Sequence, residues 1–275
     1  MNNIGHNTGP KKWSAFTAMV VLVFFLVLPG PGRCGESRFF FVQITDTHLG
    51  IPENNARARK IVAAVNRLPM TIQCVVHTGD VYDRSVWGKQ GAVADAAEVF
   101  KPLKPPVYFL PGNHDIDLDG DRKKTMDTWV RHFSPLVYSR MIQGVAFVFA
   151  YTDSLREGVA VEGFHPFDAL QSEIKTPGNA PVLLFHHGPS VPNFYRNRFH
   201  RGWADRFRRE WHDLIRRNNV TAVITGHFHR DELHWLGHVP VYVSGPAAEK
   251  FGRQACFRIY EYNDGRLGYT AQYLD

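Results

Sequence analysis

Short apolar runs alternate with helix-like segments through the first half of the chain. Uninterrupted apolar runs of about four to eight residues, bounded by turn-forming residues, are typical of strands buried on both faces. Apolar residues that recur every three or four positions, as Ile61, Val62, Val65 and Leu68 do, predict an amphipathic helix. These patterns predict strands at Phe39–Thr45, Ile72–His77 and Val107–Leu110 and helices at Asn55–Leu68 and Ala92–Phe100.

The second half of the chain is richer in predicted strands. The polar, highly charged segment 117–140 predicts a loop and a helix that cover the face of a sheet. Further strands are predicted at Val145–Tyr151, Val182–Phe185, Val220–Thr225, Val239–Ser244, Cys256–Tyr262 and Leu267–Tyr273. The last three have the spacing of antiparallel strands, with Asn263-Asp264-Gly265 as a hairpin turn.

The body of the chain, residues 36–275, shows no internal repeat, low-complexity segment or linker. A length of 275 residues, with 44% hydrophobic and 21% charged residues, is ordinary for a globular protein and excludes a disordered chain. We therefore expect one α/β domain with a mixed sheet flanked by helices. Such folds bind ligands in loops at the carboxyl ends of their strands.

The N-terminal residues 1–35 have the pattern of an export signal. Lys11 and Lys12 precede an uncharged apolar run, Trp13–Leu28, which ends at the helix-breaking sequence Pro-Gly-Pro-Gly of residues 29–32. Extension of the run through residue 32 would give the ~20 residues that span a bilayer, so a cleaved signal peptide and a membrane anchor are both open. In either case the body of the chain is expected outside the cytoplasm, in the periplasm or the extracellular space.

The positive charge is modest and does not by itself predict a nucleic-acid partner. The formal net charge is +6, and its densest part is a group of arginines between residues 196 and 217. Trp203, Phe207, Trp211, Leu214 and Ile215 recur within this group at helical spacing. Most of the arginines are therefore expected on the solvated face of an amphipathic helix. The group consists of Arg196, Arg198, Arg201, Arg206, Arg208, Arg209, Arg216 and Arg217.

The three cysteines do not form a recognisable pattern. Cys34, Cys74 and Cys256 are too widely separated for a disulfide framework or a zinc ribbon. Cys74 lies in an apolar run and is expected to be a buried small side chain.

Polar side chains follow five of the predicted strands, at the point where each strand ends. Each has an ordinary explanation by itself, because Asp and Asn often close turns and His is often a partly buried core residue. Their repetition at successive strand ends instead favours a shared site for borderline divalent metals, for which imidazole and carboxylate are ligands. The residues are Asp46 and His48, then His77, Asp80 and Asp83, then Asn113, His114 and Asp115, then His186 and His187, and finally His227 and His229.

The ordered motifs DTH, GDVYD, GNHD, HH and GHFH resemble the signature of the calcineurin-like metallophosphoesterase superfamily. The resemblance covers roughly residues 40–230 and is nearest to the compact class that includes cyclic-nucleotide phosphodiesterases. It implies a four-layer α/β fold in which a central mixed β-sandwich is flanked by helices.

The same resemblance implies two metal ions, chosen from manganese, iron and zinc. One would be held by Asp46, His48 and His229, and the other by Asn113, His187 and His227. Asp80 would bridge them, and a hydroxide shared by the ions would attack phosphorus in line with the leaving oxygen.

Four neighbouring polar residues receive other roles. His114 is the candidate for protonating the leaving group. His186, Asp83 and Asp115 are expected to orient the ligands by hydrogen bonding. Five other histidines are not assigned a ligand or catalytic role and are expected in the core or on the surface. They are His77, His165, His200, His234 and His238.

The function predicted from these motifs is hydrolysis of a small phosphomonoester or phosphodiester. Two alternatives remain open. If the arginines between residues 196 and 217 line the metal cleft, a nuclease is favoured, with nucleic acid as the partner. A catalytically silent relative would use the fold only to bind a partner, although seven buried polar ligands would then be retained at a cost. Membrane contact through residues 13–32 is a further expectation, and the oligomeric state is not predicted.

Overall fold

The computed structural model describes residues 38–175, 178–199, 202–249 and 252–274. The predicted N-terminal segment 1–35 lies outside these residues, as do His200 and Arg201, so the expectations placed on them stay predictions. Within the described ranges, no helix is both long enough and apolar enough to cross a bilayer.

Strands and helices follow one another through the described chain. The first part contains β1 (Arg38–Ile44), α1 (Pro52–Val65), β2 (Ile72–Thr78), α2 (Ala92–Glu98), β3 (Val107–Leu110) and α3 (Arg122–His132). The middle part contains β4 (Val137–Ile142), β5 (Val145–Ala150), α4 (Asp153–Glu157), α5 (Pro166–Lys175), β6 (Val182–Phe185) and α6 (Asp205–Arg217). The last part contains β7 (Val220–Thr225), β8 (Glu232–Leu236), β9 (Val239–Val243), β10 (Cys256–Asn263) and β11 (Arg266–Tyr273).

The strands form two mixed sheets. The first sheet has the order β11-β10-β1-β2-β3, and the second has the order β4-β5-β6-β7-β9-β8. The central strands β1, β2 and β3 are mutually parallel, as are β5, β6, β7 and β9. Antiparallel strands lie at the margins. The parallel strands of each sheet therefore deliver their following loops to one edge of that sheet.

The core between the sheets is rich in aromatic side chains. Alternate residues of a strand point to opposite faces, so Phe147 and Phe149 of β5 enter the space between the sheets while Ala146 and Val148 face the other way. Phe41 of β1 packs edge-on against Phe147 of the opposite sheet, and their ring centres are 5.0 Å apart. The apolar runs are uninterrupted because both faces of these strands are buried.

Helices cover the outer faces of both sheets. Ile61 and Val65 of α1 pack with Val42 and Ile44 of β1 in one apolar cluster. Trp211 of α6 packs in a separate cluster with residues of the second sheet. The predicted α/β fold, two mixed sheets flanked by helices, is confirmed. The amphipathic character predicted for α6 is also present, since Trp211, Leu214 and Ile215 are its buried residues.

Several details differ from the sequence-based expectations, and helices α4 and α5 are two elements that the sequence patterns did not predict. Strand β9 was expected to be antiparallel, but it pairs in parallel with β7 and in antiparallel fashion only with β8. Strands β4 and β8 were not predicted.

The hairpin turn between β10 and β11 lies where it was expected, and Asp264 and Gly265 adopt positive φ angles of 51° and 84°, as a tight two-residue hairpin requires.

Candidate metal centre

The loops that follow β1, β2 and β7 hold their polar residues in unusual backbone conformations. Asp46, His48, Asp80, His227 and His229 have positive φ angles between 43° and 69°. This left-handed region is uncommon for residues other than glycine, and it is maintained only where the surrounding structure compensates for the strain. The loops therefore hold these five side chains in conformations that an isolated turn would not favour.

One oxygen of the Asp46 carboxylate accepts hydrogen bonds from the loops that follow β1 and β7. Oδ2 accepts hydrogen bonds from the Thr45 hydroxyl at 2.7 Å and from the His227 backbone N–H at 3.1 Å. Oδ1 lies 3.0 Å from His229 Nε2 and 3.9 Å from His187 Nε2. The side chain is fully buried. Oδ1 is consequently the oxygen that faces the cluster of imidazoles.

Asp80 occupies the centre of the cluster. Its Oδ1 accepts a hydrogen bond of 2.8 Å from the His114 backbone N–H. Its Oδ2 lies 3.3 Å from His187 Nε2, 3.8 Å from His48 Nε2 and 4.0 Å from His114 Nε2. One carboxylate thus approaches imidazoles from the loops of three different strands.

Ligand-type atoms converge in overlapping groups, each with its atoms within 4.8 Å of one another. Asp80 and His48 each belong to two of these groups, so the groups form one continuous cluster. The groups are Asp46 with His48 and His229, His48 with Asp80 and His114, and Asp80 with His187 and His227.

The orientation of His187 suits a metal ligand. Its Nδ1 lies 2.8 Å from the Thr78 carbonyl oxygen, to which a protonated Nδ1 donates. That hydrogen bond leaves Nε2 to face Asp80 and Asp46. The side-chain oxygen of Asn113 is buried and receives no hydrogen bond from the described residues. An amide oxygen, imidazole nitrogens and carboxylate oxygens form a donor set that fits divalent cations such as manganese, iron or zinc.

The electrostatics also favour a cation between the two carboxylates. Burial raises the pKa of Asp46, but the His229 and His187 imidazoles lower it more, so that it falls below its usual range. Burial likewise raises the pKa of Asp80. The imidazoles of His187, His114 and His48 lower it more, so that it lies well below its usual value. Burial lowers the pKa of His187, yet Asp80 and Asp46 raise it to about 10. The buried negative charge thus requires a positive partner, a role that a proton or a metal ion can fill.

His114 lies at the open side of the cluster. Its side chain is 21% exposed, whereas the His187 side chain is fully buried. His114 Nδ1 lies 3.6 Å from Asp83 Oδ2, and Asp83 Oδ1 accepts a hydrogen bond of 2.9 Å from the Ser85 backbone N–H. This geometry suits a group that meets substrate.

Asp115 connects two of the loops and lies in none of the ligand groups. Its carboxylate accepts hydrogen bonds from the backbone N–H groups of Gly112 at 2.8 Å and of Val81 and Tyr82 at 3.1 Å each. It therefore ties the loop after β3 to the loop after β2, next to Asp80. Burial and the neighbouring Asp80 raise its pKa well above the usual range for a carboxyl group.

The adjacent histidines 186 and 187 face in opposite directions. His186 packs against Trp203 and Trp211 with ring-centre distances of 5.8 and 4.9 Å, and its Nδ1 lies 3.3 Å from the Thr152 hydroxyl. It belongs to none of the ligand groups. The structure thus brings His187, and not His186, into the cluster.

Asp153 and Arg156 support the loop after β6 and were not anticipated from the sequence. Asp153 is fully buried at the start of α4 and accepts a hydrogen bond of 2.8 Å from Arg156 Nε. Arg156 packs so closely on Gly188 that a Cβ atom there would lie 2.8 Å from its Cδ. The available signal was that Asp153 also follows a strand, β5, as the predicted ligands do.

His77 lies beneath the loop after β1. Its Nε2 is 2.9 Å from the Thr47 hydroxyl, and the Thr47 hydroxyl donates to the Val81 carbonyl at 2.7 Å. His77 is fully buried and belongs to none of the ligand groups. This location agrees with the core position expected for it.

A small cavity opens beside the cluster. Its volume is about 190 Å³, and Asn113, Arg84, Trp87 and Arg156 contribute to its lining. Arg84 donates a hydrogen bond of 3.3 Å to the Asn113 carbonyl. Asp117, Asp119 and Glu157 line the same cavity, and Arg156 forms ion pairs with Asp153 and Glu157, so the cavity is mixed in charge.

The fold and this arrangement of carboxylates and imidazoles define a metal-dependent phosphoric ester hydrolase. Residues 41–231 match the model of the calcineurin-like phosphoesterase family, and the chain belongs to that family. No curated protein sequence matches the chain.

Solved structures share the fold at low sequence identity. The purple acid phosphatase PPD1 of yellow lupin (Lupinus luteus) is similar with a TM-score of 0.62 and 15% identity, over 88% of this chain and 53% of that one. TT1561 of Thermus thermophilus is similar with a TM-score of 0.53 and 12% identity, over 85% of this chain and 99% of that one.

A third similar structure is GAP50, the anchor in the inner membrane complex of Plasmodium. Its TM-score is 0.57 at 11% identity, over 86% of this chain and 84% of that one. Proteins with such different descriptions share this fold, so the function of this chain has to be argued from its own side chains.

Proposed function

We propose that this chain hydrolyses a phosphomonoester or phosphodiester of a small molecule with the help of two metal ions. The observation that carries the proposal is the continuous cluster of ligand groups around Asp80. It supplies more ligand atoms than one ion of this class takes. A carboxylate with two oxygens is the natural bridge between two ions.

The residues divide into two sets of ligands. One ion would be held by Asp46, His48 and His229, and the other by Asn113, His187 and His227. Asp80 would contact both. Because Asn113 is a neutral ligand, it limits the negative charge that an anionic substrate encounters.

Two such ions, when bound, would activate water at neutral pH and offset the charge that develops on the phosphoryl oxygens. The protein holds the leaving group on the side of His114, whose partly exposed ring can donate a proton to the departing alkoxide during in-line displacement. Asp83, 3.6 Å from His114 Nδ1, orients that ring. Asp115 maintains the relative position of the two loops that carry Asp80 and Asn113.

A nuclease is the second candidate, and the positions of the arginines do not favour it. Arg206–Arg217 lie on α6, which packs its apolar face against the second sheet. Among the described residues, the cavity beside Asn113 is lined by Arg84 and Arg156 and by none of the arginines between 196 and 217. A silent binding protein is the third candidate, and it would not need to keep buried carboxylates and imidazoles in this arrangement.

A substrate panel tests the proposal. Purified full-length protein with added manganese is assayed with bis-p-nitrophenyl phosphate, p-nitrophenyl phosphate, cyclic nucleotides and single-stranded DNA, and Asp80→Ala serves as the inactive control. We expect hydrolysis of at least one small ester that is lost in the control. Absence of both activity and bound metal would refute the proposal that the chain is an enzyme. Hydrolysis of DNA alone would favour the proposal that it is a nuclease.

We also propose that the enzyme acts outside the cytoplasm. The support is the sequence alone: Lys11 and Lys12 followed by the apolar run Trp13–Leu28. Fractionation of cells expressing the full chain, with N-terminal sequencing of the product, tests this. Activity confined to the cytoplasm with Met1 retained would contradict it.

A further inference from the structure

A cavity next to the metal centre offers a site for part of the substrate beyond its phosphate. We propose, on the basis of the function proposed above, that this cavity binds a planar aromatic group of the phosphate ester, either a nucleobase or a simple aryl ring. We call it the aromatic pocket and define it by Tyr195, Phe199, Phe228, Arg230, Glu232 and Arg253, which contribute to its lining.

The aromatic pocket is large enough for such a group. Its volume is about 380 Å³, within the range of roughly 300–1,000 Å³ that is usual for small-molecule sites. Its walls combine aromatic rings with a few charged groups, which is the composition expected where a ligand is held by stacking and oriented by polar contacts.

The aromatic pocket shares two lining residues with a cavity that a candidate metal ligand also lines. A neighbouring cavity of about 280 Å³ is lined by the candidate ligand His229 and also by Arg230 and Arg253, both of which line the aromatic pocket. Phe228 contributes to the aromatic pocket and stands between His227 and His229 in the sequence. This shared lining supports an ester whose phosphate lies at the metal centre and whose ring enters the aromatic pocket.

Two aromatic rings of the aromatic pocket are exposed to solvent. Phe199 is 73% exposed, and Tyr195 is 37% exposed. Their ring centres are 5.0 Å apart in an edge-on arrangement. Exposed aromatic surface beside a cavity is characteristic of a ligand site, and a planar ring that enters the cavity would cover it by stacking.

The loop that carries these rings is held in one conformation by its own hydrogen bonds. The Asn193 side chain accepts from the Asn197 backbone N–H at 2.8 Å, and the Asn197 side chain accepts from the Asn193 backbone N–H at 3.2 Å. Arg196 and Asn197 both have positive φ angles, 53° and 61°. The segment fixed in this way, residues 193–197, presents Tyr195 with little ordering cost on binding.

The charges of the aromatic pocket decide which kind of ligand fits. The Arg230 guanidinium lies 5.2 Å from the Tyr195 ring centre and donates a hydrogen bond of 2.9 Å to the Tyr195 hydroxyl. Arg253 lines the same pocket, so in the described part of the chain the pocket's two guanidinium groups outnumber its single carboxylate, that of Glu232. These charges disfavour a cationic ligand such as a quaternary ammonium group, and they favour a neutral ring linked to an anionic phosphate.

Glu232 provides a means to distinguish a nucleobase from a simple aryl ring. Its carboxylate lies in the lining of the aromatic pocket, 3.2 Å from Arg230 Nε. A carboxylate accepts hydrogen bonds from ring N–H and amino groups, which nucleobases carry and a phenyl ring lacks. The Glu232 carboxylate already accepts from the Phe194 backbone N–H at 3.2 Å and lies 2.8 Å from His234 Nε2. Preference for a nucleobase would therefore depend on its remaining accepting capacity, whereas stacking alone would accept either ring.

Kinetics with matched substrates test the proposal. Full-length wild type, Tyr195→Ala and Phe199→Ala are compared on nucleoside, phenyl and glycerol phosphate esters, with Trp235→Ala as control because Trp235 is 60% exposed and does not line the aromatic pocket. We expect the two variants to lose about tenfold in kcat/KM on aromatic esters, mainly through KM. Activity on the glycerol ester and in Trp235→Ala should change less than about twofold. An equal loss on all three esters would overturn the proposal.

A binding measurement keeps the test independent of catalysis. Adenosine, guanosine and phenol, which carry no phosphate, are titrated calorimetrically into the same proteins. Binding that weakens in Phe199→Ala supports the aromatic pocket even if no ester is hydrolysed, in which case only the proposed function fails. Nucleoside binding without phenol binding identifies the nucleobase, binding of both identifies a general aryl site, and binding of neither to wild type overturns the proposal.

Discussion

His114 and His187 both approach Asp80 Oδ2, but their surroundings assign them different tasks. His187 is 3.3 Å from this oxygen, fully buried and held by the Thr78 carbonyl. His114 belongs to a ligand group as well, with His48 and Asp80, but it is 4.0 Å from this oxygen and 21% exposed. A buried, oriented imidazole suits a metal ligand, and a partly exposed one suits a proton donor to substrate.

Replacement of each histidine should separate these tasks. We expect His187→Ala to lose bound metal, whereas His114→Ala should keep nearly all of its metal while its turnover falls by about 10²–10⁴-fold. Metal content by mass spectrometry and kcat on the best panel substrate are the measurements. His165→Ala, which removes an exposed imidazole outside the ligand groups, is the control and should change neither. Equal metal loss in both variants would refute the division of roles.

The buried neighbour His186 should make stability depend on pH. Burial lowers the pKa of His186 from its ordinary value of 6.5 to about 3. Between these two values the unfolded chain binds a proton that the folded chain does not, so the free energy of unfolding falls as the pH falls, by up to about 1.4 kcal/mol per pH unit.

Urea unfolding of metal-free protein between pH 4 and 7 measures this effect. His186→Gln cannot bind the proton, so its free energy of unfolding should fall less steeply below pH 6.5 than that of wild type. Identical slopes in the two proteins would show that His186 is not responsible. A lower stability of the variant at pH 7 would not affect the comparison, because only the slopes are compared.

At the residue level, the ligand-type side chains could be anticipated because each follows a strand. The groups that support these side chains from another part of the chain could not be anticipated. Thr78 contributes through its carbonyl, which carries no sequence signal, and Arg156 acts through packing on Gly188. Such contacts depend on how two sheets come together, and periodicity within one segment does not contain that information.

Glycines in the loops after β3 and β7 allow these loops to approach the loops of other strands closely. A Cβ atom on Gly226 would lie 2.7 Å from Asp46 Oδ2 and would also meet the Thr45 hydroxyl. Gly112 is equally confined, because a Cβ atom there would lie 2.7 Å from His187 Cδ2. The glycines of the GNHD and GHFH motifs thus permit contact between loops from different strands.

Gly226→Ala should therefore impair the site. The added methyl group would displace the Asp46 carboxylate, and we expect at least tenfold weaker metal affinity, about the effect of losing an outer-shell contact of a ligand. Gly268→Ala is the matched control, since a Cβ atom there meets nothing within 4 Å. Metal titration followed by calorimetry is the measurement. Equal affinity in wild type and Gly226→Ala would contradict the proposed role of this close approach.

At the level of elements, strands buried on both faces were predictable and marginal strands were not. In β4, the buried residues Tyr138 and Ile142 are separated by Ser139, Arg140 and Met141, so the segment gave no apolar run. Strand β8 exposes Leu233 and Trp235. Its sequence alternates polar and apolar residues over only four positions, Glu232–Trp235, which is the minimum length for a strand signal. The parallel pairing of β9 with β7 was missed because partner and direction are tertiary properties.

At the level of the whole molecule, the sandwich brings two sets of loops together. The first sheet supplies the loops after β1, β2 and β3, and the second supplies those after β6 and β7. Gln43 of β1 spans the two sheets, since its side-chain amide donates to the Thr78 hydroxyl at 2.8 Å and to the Thr225 carbonyl at 2.9 Å. Each proposed ion therefore takes ligands from both sheets, and metal binding should stabilise the sandwich as a unit.

Metal stoichiometry tests the central claim most directly. The purified full-length protein is loaded with manganese, freed of excess by gel filtration and analysed by mass spectrometry, in parallel with hydrolysis of the best panel substrate. We predict two metal ions per chain in wild type and at most one in Asp80→Ala, with loss of hydrolysis. Full activity with a single bound ion, or two ions retained in active Asp80→Ala, would contradict a centre built around Asp80.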